Sequence, residues 1–185
     1  MLFSPGWRAH VRQGEVLAVF SLGLLLGGTL SATVLWLLSG FAEPLPRTVR
    51  IAAIMAIAVA GVAREAGWIR VPLPQNARQI PREVLQRRIR LGSLQFGFEL
   101  GTGVRTYVSA SAPYVVALGL VLAHQGPLAT ILTGTGFGMG RAVTATARYA
   151  SRNDEWDDRR ITRMPILTNA IGIVVLAALA VLLLR

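Results

Sequence analysis

From Val16 to Leu38 the chain runs for 23 residues without a single charged side chain. As an α-helix this stretch is about 35 Å long, enough to cross the roughly 30 Å hydrocarbon core of a bilayer. It also exceeds the 7–15 apolar residues typical of a signal-peptide core, so it reads as a membrane helix and not as a cleaved leader. Four more apolar segments follow. They cover about Thr48–Trp68, Ser93–Ala123, Leu128–Arg148 and Ile166–Leu184. Pro44, Pro46, Pro127 and Pro165 fall between them, where helices are expected to stop or start. The expectation is an all-α polytopic bundle of five transmembrane helices, forming one integral membrane domain over residues 1–185.

Charge placement gives this division an independent test. Only 15% of the 185 residues are charged, and all 19 basic side chains are arginines. With alternate sides assigned to successive loops, Arg8, Arg12, the seven arginines from Arg64 to Arg90 and the five from Arg148 to Arg163 share one face. The opposite face receives only Arg47, Arg50 and Arg185. Positive charge in short loops marks the cytoplasmic side. The amino terminus is therefore expected inside and the carboxyl terminus outside a bacterial-type inner membrane. Residues 64–91 become a basic cytoplasmic linker. Within it, Pro81 opens a short amphipathic stretch in which Ile80, Val84, Leu85 and Ile89 form an apolar stripe flanked by arginines, suited to an anionic leaflet. A pI near 11.7 suggests a nucleic-acid binder, but arginines set between apolar runs do not form a soluble basic surface, and no nucleic-acid partner is expected.

Little in the chain points to catalysis. It contains no cysteine, which removes disulfides, thiolate metal sites and thiol nucleophiles. His10 and His124 fall on opposite faces of the predicted topology and cannot share a metal. Asp154, Glu155, Asp157 and Asp158 lack the spacing of a calcium loop and adjoin arginines, reading as a self-neutralising loop. No metal, cofactor or catalytic residue is expected. Gly134, Gly136, Gly138 and Gly140 fail the dinucleotide fingerprint at Met139, and no strand precedes them. They form instead two small-xxx-small pairs, as do Gly23 with Gly27 and Gly97 with Gly101, which let membrane helices approach closely.

The strongest polar signal lies inside the spans. Glu99 and Arg105 fall within the third segment and Arg141 within the fourth. A charge facing lipid at mid-bilayer costs at least ~2.5 kcal/mol, so inward orientation is expected. Glu99 and Arg141 have matching depths, about 9 and 10 Å from the same face at helical rise, which predicts an ion pair. Arg105 lies deeper, near Thr106, Tyr107 and Ser109. Gly101, Gly103 and Pro113 are placed to loosen the helix around it.

The run Leu100, Gly101, Thr102, Gly103, Val104, Arg105 resembles the glycine-rich approach to the Pro-Cys break in the transmembrane family of cytochrome c biogenesis and thiol-reductant proteins (CcdA/DsbD type). That resemblance implies two inverted three-helix repeats. Ser21–Leu38 would lie against Thr130–Ala147 and Ile51–Ala63 against Ala170–Leu182, with the family's first helix absent. Thr106 and Tyr107 would stand where that family has proline and cysteine, so a cysteine-less relative could not shuttle electrons through a dithiol pair. The expected function is a non-enzymatic membrane assembly or accessory subunit, with the lipid bilayer and other membrane subunits or a second copy as partners. Two alternatives stand beside it: a small-solute or anion transporter using the Arg105 region, and a lipid-binding or lipid-modifying protein.

Overall fold

A computed structural model describes residues 13–73, 89–103 and 110–151, together with 163, 166, 167, 170–175, 177 and 178. The described residues are all-α and include no strand. Five α-helices are delimited: α1 Gln13–Ser39, α2 Arg47–Glu65, α3 Ile89–Thr102, α4 Ala112–Ala123 and α5 Pro127–Ser151. A 3-10 turn, Gly40–Ala42, follows α1 directly. Residues 170–175 are helical again.

The boundaries follow from local chemistry. Pro46 immediately precedes α2, whose interior is largely alanine and isoleucine. At its far end Gly67 takes a left-handed φ of 79°. The Trp68 amide then donates to Ala63 O at 2.9 Å and the Gly67 amide to Arg64 O at 3.0 Å, the paired bonds of a Schellman stop. Pro113 sits in the first turn of α4, where its missing N–H is harmless. Pro127 opens α5 in the same way.

The third apolar segment departs from expectation. Ser93–Ala123 is not one helix. It is divided between α3 and α4, with Gly103 at φ 71° just beyond the last residue of α3. Glycine alone adopts that conformation cheaply, and Pro113 cannot donate the bond a continuous helix would need from it.

By contact the chain divides into two compact units, each discontinuous in sequence. The first takes α1 as far as Ser31, α3, and α5 from Ile131 onward. Its packing is backbone against backbone. A Cβ added to Gly97 or Gly101 would meet the main chain of Phe20 or Leu24. Reciprocally, Gly23 faces Leu94, Gly97 and Phe98, while Gly27 faces Phe98, Gly101 and Thr102. The contact advances in the same sense along both helices, so α1 and α3 run parallel. Leu24 is fully buried between them, and the Phe20 and Phe96 rings meet at 5.7 Å. On α5, a Cβ added to Gly138 would meet the Leu24 carbonyl oxygen at 2.6 Å, and one added to Gly28 would meet the main chain of Gly134 and Gly138. Here the contact runs in opposite senses, and α1 and α5 are antiparallel. Gly136 and Gly140, the second predicted pair, have nothing within 4 Å of an added Cβ.

The second unit takes α1 from Ala32, α2, α4, and α5 up to Thr130. Gly61 of α2 packs on Val115 and Ser111 of α4, with Ile54 and Ala58 buried. At the end of α4 His124 is held in the left-handed region at φ 48°, and its Nδ1 lies 3.1 Å from the Ser39 carbonyl that closes α1.

Gly101→Ala should destabilise the protein by about 1–3 kcal/mol, because its methyl would press on Leu24 Cα and carbonyl carbon, each 2.9 Å away. Gly136→Ala and Gly140→Ala should be neutral or mildly stabilising, since both positions are open and alanine favours helix. Thermal denaturation of the three variants under identical conditions distinguishes the two classes.

Candidate functional site

Breaking a helix leaves orphan carbonyls at one new end and orphan amides at the other. Buried away from water, each such group must find another partner. Several polar side chains meet these two ends.

In the first unit, the end of α3 is capped from three directions. Arg141 Nη1 donates to Leu100 O at 3.2 Å, and Ser31 Oγ on α1 donates to Thr102 O at 3.0 Å. Thr102 Oγ1 turns back to Glu99 O at 2.8 Å. The Gly103 amide adds a bond to Leu100 O at 3.2 Å. The Arg141 guanidinium also lies 5.6 Å from the centroid of Phe137, one turn earlier on α5. A cation here faces the negative end of the α3 dipole, the favourable sign.

The predicted residues therefore come together in part. Arg141 reaches the α3 terminus one residue beyond Glu99, but it bonds the backbone. No Glu99–Arg141 ion pair is found among the described residues. Helix-end carbonyls compete with a carboxylate for a guanidinium, and depth arithmetic counts only side chains. Glu99 Oε1 accepts from Gln95 Nε2 at 3.1 Å, one turn back on its own helix. Arg105, Thr106, Tyr107 and Ser109 lie outside the described residues, as does most of the predicted amphipathic stretch in the basic linker.

In the second unit, the start of α4 is capped by residues that the sequence reading had assigned to a loop. Glu65 Oε1 accepts from the Ser111 amide at 2.7 Å and from Ser111 Oγ at 2.6 Å. Arg64 Nη1 pairs with the same oxygen at 2.9 Å and donates to Ser111 Oγ at 3.2 Å. Arg64 Nε donates to Val71 O at 2.8 Å. The Glu65 side chain is 12% exposed. An anion thus stands at the positive end of α4, again the favourable sign. The signal available in sequence was an adjacent Arg-Glu pair closing an apolar helix, with a serine preceding Ala-Pro at a later helix start. A cavity of about 10 Å³ beside Glu65 is walled by Ala58, Gly61, Val62, Ser111 and Val115. It approaches the space one water needs and leaves no room for a larger solute.

The hydroxyls of α5 do not line a polar path of their own. Thr130, Thr135, Thr144 and Thr146 each donate to the carbonyl four residues back. What Arg141, Ser31 and Glu65 do chemically is hold backbone ends.

Among known proteins the chain is similar to three relatives bearing one name. It is 29% identical to the methylamine utilization protein MauF of Paracoccus versutus over 96% of this chain and 67% of that protein. The methylamine utilization protein MauF of Methylorubrum extorquens is 28% identical, and that of Methylobacillus flagellatus 26%, each over 80% of this chain. The chain spans about half the length of these last two. No family model matches, and no solved structure matches. These relatives overturn the resemblance to cytochrome c biogenesis and thiol-reductant proteins. That resemblance rested on glycine spacing and hydropathy, which closely packed helices share whatever their ancestry.

Glu65 and Ser111 should be energetically coupled. A double-mutant cycle of Glu65→Gln and Ser111→Ala should return an interaction free energy of about 1–2 kcal/mol, the range for contacting residues in one hydrogen-bond network. Denaturant titration of the four proteins measures it, and strict additivity would show the contact to be energetically idle.

Proposed function

We propose that this chain is a non-enzymatic, multi-pass inner-membrane protein that serves methylamine utilization as an accessory to other proteins. The observation that carries the membrane reading is the outer face of α1. Leu22, Leu26, Leu30, Val34 and Leu38 recur every four residues, joined by Leu37 and by Phe41 at 83% exposure, and all are exposed. Such a continuous apolar stripe is rare on a water-facing surface and suits lipid or a membrane partner. The helix spanning Gln13–Ala42 is long and apolar enough to cross a bilayer.

Further features support five spans. Parallel packing of α1 with α3, and antiparallel packing of α1 with α5 and α2 with α4, are the directions an alternating topology requires. The 19 residues of α2 measure about 28 Å, with exposed Phe41 before them and Trp68 after them at 81% exposure. Large aromatic rings at both ends of a span suit the two membrane interfaces. The arginine asymmetry supports an amino terminus in the cytoplasm. The methylamine setting comes from the similarity to MauF over most of the chain. An accessory role accords with Arg141, Ser31 and Glu65, which hold helix ends.

Two measurements test this reading. Reporter fusions after Glu43, after Gln125 and at Arg185 should all indicate the outer side, and a cytoplasmic signal at Arg185 would exclude five spans. Deleting the gene should impair growth with methylamine as the sole nitrogen source, with recovery on re-expression. Unimpaired growth would remove the assignment to methylamine utilization.

A further inference from the structure

We infer that the two helix ends flanking the division of the third apolar segment are built features, each held by a charged cap, of opposite sign at the two ends, that acts independently in its own unit. Arg141 is the positioning residue for the end of α3, and Glu65 is the positioning residue for the start of α4.

Three observations carry this. The first is the sign of each charge. A guanidinium bonds Leu100 O at the carbonyl end of α3, and a carboxylate bonds the Ser111 amide at the amide end of α4. Each charge opposes the partial charge of the terminus it touches, and exchanging the two would reverse both interactions. The second is origin. Both caps come from a different helix than the one they close: Arg141 from α5, and Glu65 from α2. Ser111 makes no side-chain cap of its own helix, and its amide is held by the Glu65 carboxylate. The third is redundancy. Ser31, Thr102 and the Gly103 amide add neutral bonds at the α3 end, while Arg64 supports Glu65 at the α4 end. A break of accidental origin would not attract matched partners from three other helices.

The consequence is that each half of the segment answers to its own cap. Loss of Arg141 loosens the last turn of α3 and leaves the first turn of α4 unchanged. Loss of Glu65 does the reverse.

Amide hydrogen exchange on the full chain in detergent micelles tests this directly. In Arg141→Gln the amides of residues 100–103 should exchange about tenfold faster, while that of Ser111 stays within about twofold of the parent. In Glu65→Gln the Ser111 amide should accelerate by about tenfold, and residues 100–103 should not respond. The double variant should show both changes at the same size. Arg141→Lys retains the positive charge and should restore most of the protection at α3; Glu65→Asp should do the same at α4. These two conservative variants keep the test readable if a glutamine variant fails to fold. Unchanged exchange at both ends in the glutamine variants would overturn the inference. So would uniform acceleration across α3 and α4, which would mark global destabilisation instead of local capping. Failure of both conservative variants to protect would overturn it as well.

Discussion

The close approach of helix backbones at glycine governs the first unit. Gly23, Gly27 and Gly28 on α1 allow two other helices to come within contact of its main chain, one on each side of Leu24. At this separation dispersion contacts and weak Cα–H···O bonds act over the length of the interface. Much else follows. Ser31 and Arg141 reach the end of α3 because α1 and α5 are drawn this near to it, and the Phe20–Phe96 pair closes the space that the glycines leave beyond their own contact.

The second unit solves a different problem with different means. Between α2 and α4 the contact is side chain on glycine, Val115 on Gly61, and polar fixation is concentrated at one point where Glu65 holds Ser111. The far end of α4 is secured by His124, whose left-handed backbone turns the chain toward α5 while its ring bonds the terminal carbonyl of α1. Both units use the same economy. Polar side chains are applied to helix termini, where the main chain lacks partners of its own.

How much of this was legible in the sequence depends on the kind of signal. Helix positions were. Val16–Leu38 lies within α1, Thr48–Trp68 overlaps α2, and Leu128–Arg148 lies within α5, because long apolar runs bounded by proline admit few alternatives. The division of Ser93–Ala123 was visible only as loosening residues. Hydropathy is continuous there, whereas the break is set by the backbone conformation at Gly103 and by caps from elsewhere. Of the glycine pairs on α5, spacing alone did not distinguish Gly134 and Gly138, which meet α1, from Gly136 and Gly140, which do not. Periodicity identifies a face without saying what covers it. Glu65 was overlooked because it closes a helix beside an arginine, and only the fold brings Ser111 to it, 46 residues later in the chain. The cytochrome c biogenesis resemblance failed for a related reason: glycines and apolar runs record a packing style, and ancestry was read from them.

The packing of α1 also constrains how the protein is made. Its glycine face meets Gly97 and Gly101 on one side and Gly138 on the other. Translation delivers these partners about seventy and more than one hundred residues after α1 itself, at roughly 5–20 residues per second. For several seconds the helix therefore has its leucine stripe complete while neither α3 nor α5 has yet been made to meet its narrow face. Whatever accommodates a nascent helix during that interval must tolerate a smooth, small-residue groove and then surrender it twice, first to α3 and then to α5. Vectorial synthesis thereby sets an order of assembly in which α1 precedes both α3 and α5 and waits for each in turn.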